Sequence, residues 1–186
     1  MCKNNIKLHD HSVDVSNPDI SNQFIIIRNP IERFISAVYY ALQVYCNTDH
    51  IKTLLFYKID TPEKWIQIWR NPSHQYYNIL MNEMKNKTQI IGTTYHEYKW
   101  TYLPQSTWIN NPKYICIMDN YEKEVSYLFK NILNRDIYLP NNNSTIHHNN
   151  KLSDSSIEFL QTFYNKDFFY YNKYKNISIE ERIPIV

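Results

Sequence analysis

Three side chains suited to binding a phosphate lie within nine residues of one another: Arg28, Arg33 and Ser36. Two guanidinium groups and a hydroxyl can donate several hydrogen bonds to a doubly charged oxyanion. Arg28 follows the apolar run 24–27, which is typical of a buried strand. Asn29-Pro30 then begins a helix, whose free N–H groups and dipole favour an anion. The spacing therefore predicts a phosphate pocket where a strand ends and a helix begins.

A purely structural role for the same residues is the alternative. Arg28 could pair with Glu32, and Ser36 could simply face a neighbouring helix, because ion pairs near helix starts are common. The surroundings of the Arg28 guanidinium group distinguish the two interpretations.

The rest of the chain supplies elements that could position this pocket. The helix after Pro30 has apolar residues at three-and-four spacing, and further helices are expected from Pro62, from about His74, after Asp119 and after Ser153. Asp119, with Glu122 three residues later, fits a capping box, and Ser153 is expected to cap one last long helix that runs through Tyr164.

Short apolar runs at 89–91 and 114–118 predict two further strands. The alternation of strands and helices favours an α/β fold, with a small, mostly parallel sheet flanked by helices. We expect a polar lead-in over residues 1–23, one domain over 24–175, and a C-terminal tail over 176–186.

The string from Arg28 to Tyr39, RNPIERFISAVY, resembles the 3′-phosphate-binding motif of sulfotransferases that use 3′-phosphoadenosine 5′-phosphosulfate (PAPS). It is most similar to the carbohydrate-type group, sulfotransferase family 2, with its pattern R-[DN]-P-x-x-R-x-x-S. The resemblance implies that Arg28 and Ser36 hold the 3′-phosphate, with Arg33 at a third position of the motif. It also implies the P-loop-NTPase-like sulfotransferase fold, PAPS as co-substrate, and transfer of sulfate to a hydroxyl of a sugar or glycan.

Later segments are similar to further blocks of that family, in the same order. Trp100 with Pro104-Gln105 resembles a W-x-x-Q block, and the strand at 114–118 is followed by Glu122, similar to the family's E-x-L helix start. The stretch from Leu152-Ser153 to Tyr174, which includes Tyr164 and Asp167, resembles the family's C-terminal helix.

Two histidines upstream, His9 and His11, match an H-x-H pair that supplies a candidate general base in heparan-type relatives. A neutral imidazole can accept the proton of an attacking hydroxyl near neutral pH. Histidines in a polar N-terminal segment are often only solvated, so that interpretation stays open. A zinc site combining this pair with His147 and His148 matches no known structural zinc spacing, and no metal is expected.

The loop P-K-T-G-G-T-[ST], which wraps the 5′-phosphosulfate in relatives, has no counterpart in this sequence. Its lysine neutralises charge on the bridging oxygen, whereas the single glycine here, Gly92, lies in a different context. We therefore expect an N-terminally truncated version of the fold. The loop could lie on a separate chain or an upstream exon, or Lys3, Lys7 or Lys99 could substitute for it. A catalytically inactive nucleotide- or glycan-binding module is the alternative function.

Composition narrows the remaining function classes. A net charge of +2 is too small to imply nucleic-acid binding, and the 17 tyrosines fall mostly at core spacing or reflect A+T-rich coding, as in a large virus, phage or protist. No apolar run is long enough to span a membrane, no signal peptide is seen, and three separated cysteines suggest reduced thiols. We expect a protein that is cytoplasmic or otherwise soluble in a host cell, with no nucleic-acid partner.

Overall fold

The computed structural model describes residues 24–85, 90–91, 94–95, 97–99, 101–107, 109, 114–134, 136 and 151–183. Strand β1 (Phe24–Ile27) pairs in parallel with β4 (Tyr114–Ile117), and Ile27 lies opposite Ile117. Two short strands, β2 (Ile90–Ile91) and β3 (Thr94–Tyr95), form an antiparallel pair. The described part is mostly helical with a small parallel sheet, which is compatible with the α/β class.

Helix α1 (Pro30–Val44) follows β1 directly, with proline at its first position. The other helices are α2 (Asp49–Phe56), α3 (Pro62–Trp69), α4 (Tyr77–Met84), α5 (Tyr121–Leu133), α6 (Asp154–Phe163), α7 (Asn165–Lys175) and α8 (Ile179–Arg182). Among the described helices, none combines the length and apolar character needed to cross a membrane.

The largest hydrophobic core lies between α1, α3, α4 and α6. Phe34 and Val38 of α1, Trp65 of α3 and Leu160 of α6 are fully buried in it. Burying one such large side chain stabilises the fold by roughly 1.5–3 kcal/mol. The predicted apolar face of α1 is thus confirmed, and the core fixes the helix that carries Ser36.

Buried side chains complete both edges of the parallel pair. On the outer edge of β1, the Gln105 amide donates to the Ile26 carbonyl and accepts from the Arg28 N–H, each at 3.1 Å. On the outer edge of β4, Glu124 accepts from the Ile117 N–H, and Arg182 donates to the Ile115 carbonyl at 2.8 Å. These contacts satisfy backbone groups that further strands would otherwise occupy.

Glu124 and Arg182 also pair with each other through two hydrogen bonds of 2.7 Å. Helix α8, which carries Arg182, packs against β4, and Ile183 beyond it is fully buried. The packed domain therefore continues past Lys175 to Ile183, beyond the boundary expected from the sequence.

Two local predictions were wrong. The expected long C-terminal helix is two helices, α6 and α7, with a break at Tyr164. Asp119 does not cap α5: the cap is Asn120, without a side-chain hydrogen bond, and the Asp119 carboxylate binds Tyr171 instead. The predicted cap of α6, Ser153, is confirmed, since its side chain accepts from the Ser156 N–H.

Candidate functional site

The carboxyl ends of β1 and β4 lie side by side, and polar residues follow both strands. Arg28 is the first residue after β1, and Asp119 is the second after β4. Because Ile27 and Ile117 are paired in the parallel register, these two residues begin from adjacent backbone positions. Ligands of open α/β sheets bind at this edge, outside the carboxyl ends of the strands.

The backbone N–H of Arg28 donates to the Gln105 side chain, and the Arg28 side chain is half-buried. Among the described residues, no carboxylate forms an ion pair with its guanidinium group. Burial lowers the pKa of Arg28, and the nearby charge of Glu32 acts in the opposite direction. The predicted alternative, an Arg28–Glu32 ion pair, is not among the ion pairs of the described residues.

Arg33 lies in a different environment from Arg28. Its Nη2 donates to the Leu103 carbonyl and lies 3.6 Å from a carboxylate oxygen of Asp167, which is only 1% exposed. Its guanidinium carbon stands 5.3 Å from the centre of the Tyr164 ring. Through these contacts Arg33 joins α1 to α7. Its assignment as a cofactor-binding residue stays a prediction.

Ser36 lies on α1 and is half-buried. Within the described part of the chain, no hydrogen bond involves its hydroxyl. Residues seven apart on a helix share a face, so Ser36 lies along the face that begins at the cap, Asn29. Ser36 lies six positions after the helix start at Pro30, about 9 Å along the axis. One phosphate could contact both Arg28 and Ser36 only if the guanidinium group extends along α1.

The first turn of α1 is already satisfied. The Asn29 side chain accepts from the N–H groups of Ile31 and Glu32 at 3.0 and 3.4 Å, and the Arg33 N–H donates to the Asn29 carbonyl at 2.9 Å. Pro30 has no N–H to offer. The expectation that free N–H groups of this helix hold the anion is therefore wrong, and side chains remain as the donors.

A buried carboxylate positions the strand end. Asp167 accepts from the backbone N–H groups of Gln105 and Ser106 at 2.6 and 2.8 Å, and Gln105 in turn holds the Arg28 N–H. Asp167 and Gln105 entered the sequence analysis only through the family resemblance. The network brings three of the resembling segments together beside Arg28.

Sequence reasoning missed a second polar cluster at the end of β4. The Tyr171 hydroxyl donates to Asp119 Oδ2 at 2.6 Å, and Lys175 Nζ lies 2.9 Å from that hydroxyl and 3.1 Å from the same carboxylate. The four-residue spacing of Tyr171 and Lys175 on a helix was the available signal. We call these three residues the Asp119 cluster.

The charges of the Asp119 cluster are fixed by its contacts. Burial alone would raise the pKa of Asp119, but the hydrogen bonds from Tyr171 and Lys175 outweigh it and the pKa is lowered. Hydrogen bonds to Tyr171 and Asp119 raise the pKa of Lys175, and burial raises that of Tyr171. A carboxylate, an ammonium group and a neutral phenol therefore lie together at neutral pH.

Several predicted residues lie outside the described part of the chain. These are His9, His11, His147, His148, Lys3, Lys7, Gly92 and Trp100. Lys99 is described, and its ammonium group pairs with the buried Glu83 at 3.0 Å. The described residues contain no group of three or more His, Cys, Asp or Glu side chains placed to hold a metal ion.

Comparisons with known proteins found no relative of this chain. No protein-family model matches the chain, and neither the curated proteins nor the solved structures contain a match.

Proposed function

We propose that this chain is a sulfotransferase-like protein that binds PAPS at the carboxyl end of β1 and transfers its sulfate to a hydroxyl of a sugar or glycan. Its fold would be the P-loop-NTPase-like sulfotransferase fold. Arg28 and Ser36 bind the 3′-phosphate. The observation that carries the proposal is the Arg28 guanidinium group, half-buried at the strand end and without a carboxylate partner among the described residues.

The contrast between the two motif arginines supports this assignment. Arg33 contacts Asp167, the Leu103 carbonyl and the Tyr164 ring, so its charge is used within the fold. Arg28 forms no ion pair with a described residue, and a half-buried cation without a partner costs free energy. A phosphate dianion would supply the missing charge through two parallel N–H···O bonds, which a guanidinium group forms well.

The chemistry of transfer is a displacement at sulfur. The acceptor oxygen forms a bond to sulfur, the bond from sulfur to the phosphate oxygen breaks, and a base removes the hydroxyl proton. The products are a sulfate ester and 3′-phosphoadenosine 5′-phosphate. His9 or His11 stays the predicted base. Arg28 and Ser36 would hold the nucleotide at its far end, so that its binding energy positions the reacting sulfate.

Nucleotide binding is the first test. Calorimetry with 3′-phosphoadenosine 5′-phosphate should show binding to the wild type and a loss of about 100-fold in affinity for Arg28→Ala, because a buried charge-assisted contact is removed. Arg70→Ala is the matched control, since Arg70 is an exposed arginine at the end of α3. Unchanged affinity in Arg28→Ala, or no binding by the wild type, would overturn the proposal.

A catalytically inactive binding module is the second candidate. It would bind the nucleotide through the same Arg28 guanidinium group and would differ from the enzyme only in transferring no sulfate. Radiolabelled PAPS with a mixture of glycan acceptors separates the two functions. Label transferred by the wild type and lost in Arg28→Ala supports the enzyme, and binding without transfer supports the module.

A further inference from the structure

The Asp119 cluster lies beside Arg28 and has no role in the site as proposed so far. Asp119 follows β4, next to the strand that delivers Arg28, and its negative charge acts on the Arg28 guanidinium group without an ion pair between them. Lys175, from the last turn of α7, reaches the same carboxylate. One carboxylate thus lies near two cations at the carboxyl edge of the sheet.

The exposure of the cluster would allow a ligand to reach it. The Lys175 side chain is 51% exposed and that of Asp119 is 30% exposed, so neither is sealed in the core. The ammonium group of a lysine is a compact charge on a flexible stem with three donors, two of which here point to Tyr171 and Asp119. Contact between this group and an anion seated on Arg28 requires that stem to rotate.

We infer that Lys175 is a second cationic contact of the phosphate bound by Arg28, and that Asp119 and Tyr171 hold it in place while the site is empty. This inference rests on the proposed nucleotide binding and extends it to residues outside the motif. When the anion enters, Lys175 exchanges the carboxylate for the phosphate. Asp119 then competes with the ligand, since it attracts the cations that the ligand needs and repels the ligand's own charge.

Because of this competition, substitutions of Lys175 and Asp119 should change ligand affinity in opposite directions, which a purely structural role would not produce. Lys175→Ala should weaken binding of 3′-phosphoadenosine 5′-phosphate about tenfold, because one charge-assisted contact is lost. Asp119→Asn keeps the shape of the side chain but removes its charge, and should tighten binding by up to about fivefold. If the cluster only ties α7 to β4, both variants would lower the melting temperature and leave affinity unchanged.

Calorimetry on the full chain, with melting temperatures for each variant, carries the test. Lys173→Ala is the control for loss of one positive charge, since Lys173 is exposed on the same helix, and its affinity should match that of the wild type. Lys175→Arg should retain most of the affinity because it retains the charge.

The outcomes separate this inference from the proposed function. No binding by the wild type, or full binding by Arg28→Ala, removes the proposed function and this inference with it. Binding that depends on Arg28 but is unaffected by Lys175→Ala overturns the inference alone, as does weaker binding by Asp119→Asn. Equal losses in Lys175→Ala and Lys173→Ala would show a general effect of charge, and would also overturn it.

Discussion

The two arginines of the motif lie five positions apart and end in different environments. Arg33 lies above Tyr164, against the buried carboxylate of Asp167, whereas Arg28 ends at a half-buried edge without an ion pair to a described residue. The fold thus uses one of these charges in internal contacts, whereas the other forms no ion pair with a described residue. Substitution of Arg33 should therefore mainly lower stability, and substitution of Arg28 should mainly lower ligand affinity.

Arg33→Ala should lower the free energy of unfolding by about 2 kcal/mol. Removing one partner leaves the Asp167 carboxylate buried with less compensation, although the N–H groups of Gln105 and Ser106 still stabilise it. Arg28→Ala should cost less than about 1 kcal/mol, because its guanidinium group has no described ion pair to lose. Urea unfolding of both variants measures the difference, and a larger loss for Arg28→Ala would contradict the division of roles.

At the scale of elements, side chains form hydrogen bonds with backbone groups along the two edges of the parallel pair. A parallel pair has two open edges, and here Gln105 closes one edge while Glu124 and Arg182 close the other. An amide side chain presents a donor and an acceptor much as a neighbouring peptide group does. The end of β1, and with it Arg28, is therefore fixed by an element that is not itself a strand.

Helices α3 and α6 are joined by a carboxylate whose contribution should depend on pH. Burial alone would raise the pKa of Glu63, but hydrogen bonds from the N–H and hydroxyl of Ser153 and the hydroxyl of Ser156 outweigh it, and the pKa lies below its ordinary value of 4.5. The folded state therefore binds this proton more weakly than the unfolded state does. The stabilisation is complete above pH 4.5 and is lost as the pH falls through the folded pKa.

The stability difference between the wild type and Glu63→Gln should accordingly shrink between about pH 6 and about pH 3 in urea unfolding. Glu158→Gln, an exposed carboxyl on α6, is the control and should show little change over the same range. A difference for Glu63→Gln that stays constant with pH would contradict the expected linkage.

For the molecule as a whole, short sequence patterns were enough to predict helices and strands, whereas the surroundings of the candidate site depend on contacts between residues far apart in the sequence. The apolar run before Arg28 and the proline after it were enough to predict β1 and the start of α1. The contact of Gln105 with Arg28 spans 77 positions, and that of Tyr171 with Asp119 spans 52, so no local pattern could reveal them. The break at Tyr164 was missed because the apolar spacing continues across it.

Ligand binding at one edge of the sheet should register in the stability of the entire domain. A ligand that binds only the folded state, at about 100 times its dissociation constant, adds about 2.7 kcal/mol. For a chain of this size each kcal/mol raises the melting temperature by about 2–4 °C. We therefore expect 3′-phosphoadenosine 5′-phosphate to raise the melting temperature of the wild type by about 5–10 °C.

Two comparisons locate the binding that causes this rise. Adenosine 5′-phosphate lacks the 3′-phosphate and should give a much smaller rise at the same concentration, because the Arg28 contact is not made. Arg28→Ala should show almost no rise with either nucleotide, while Arg70→Ala should behave as the wild type does. An equal rise in Arg28→Ala would place the nucleotide elsewhere on the surface, because the energy of a ligand bound at the end of β1 must depend on the guanidinium group that lies there without an ion pair to a described residue.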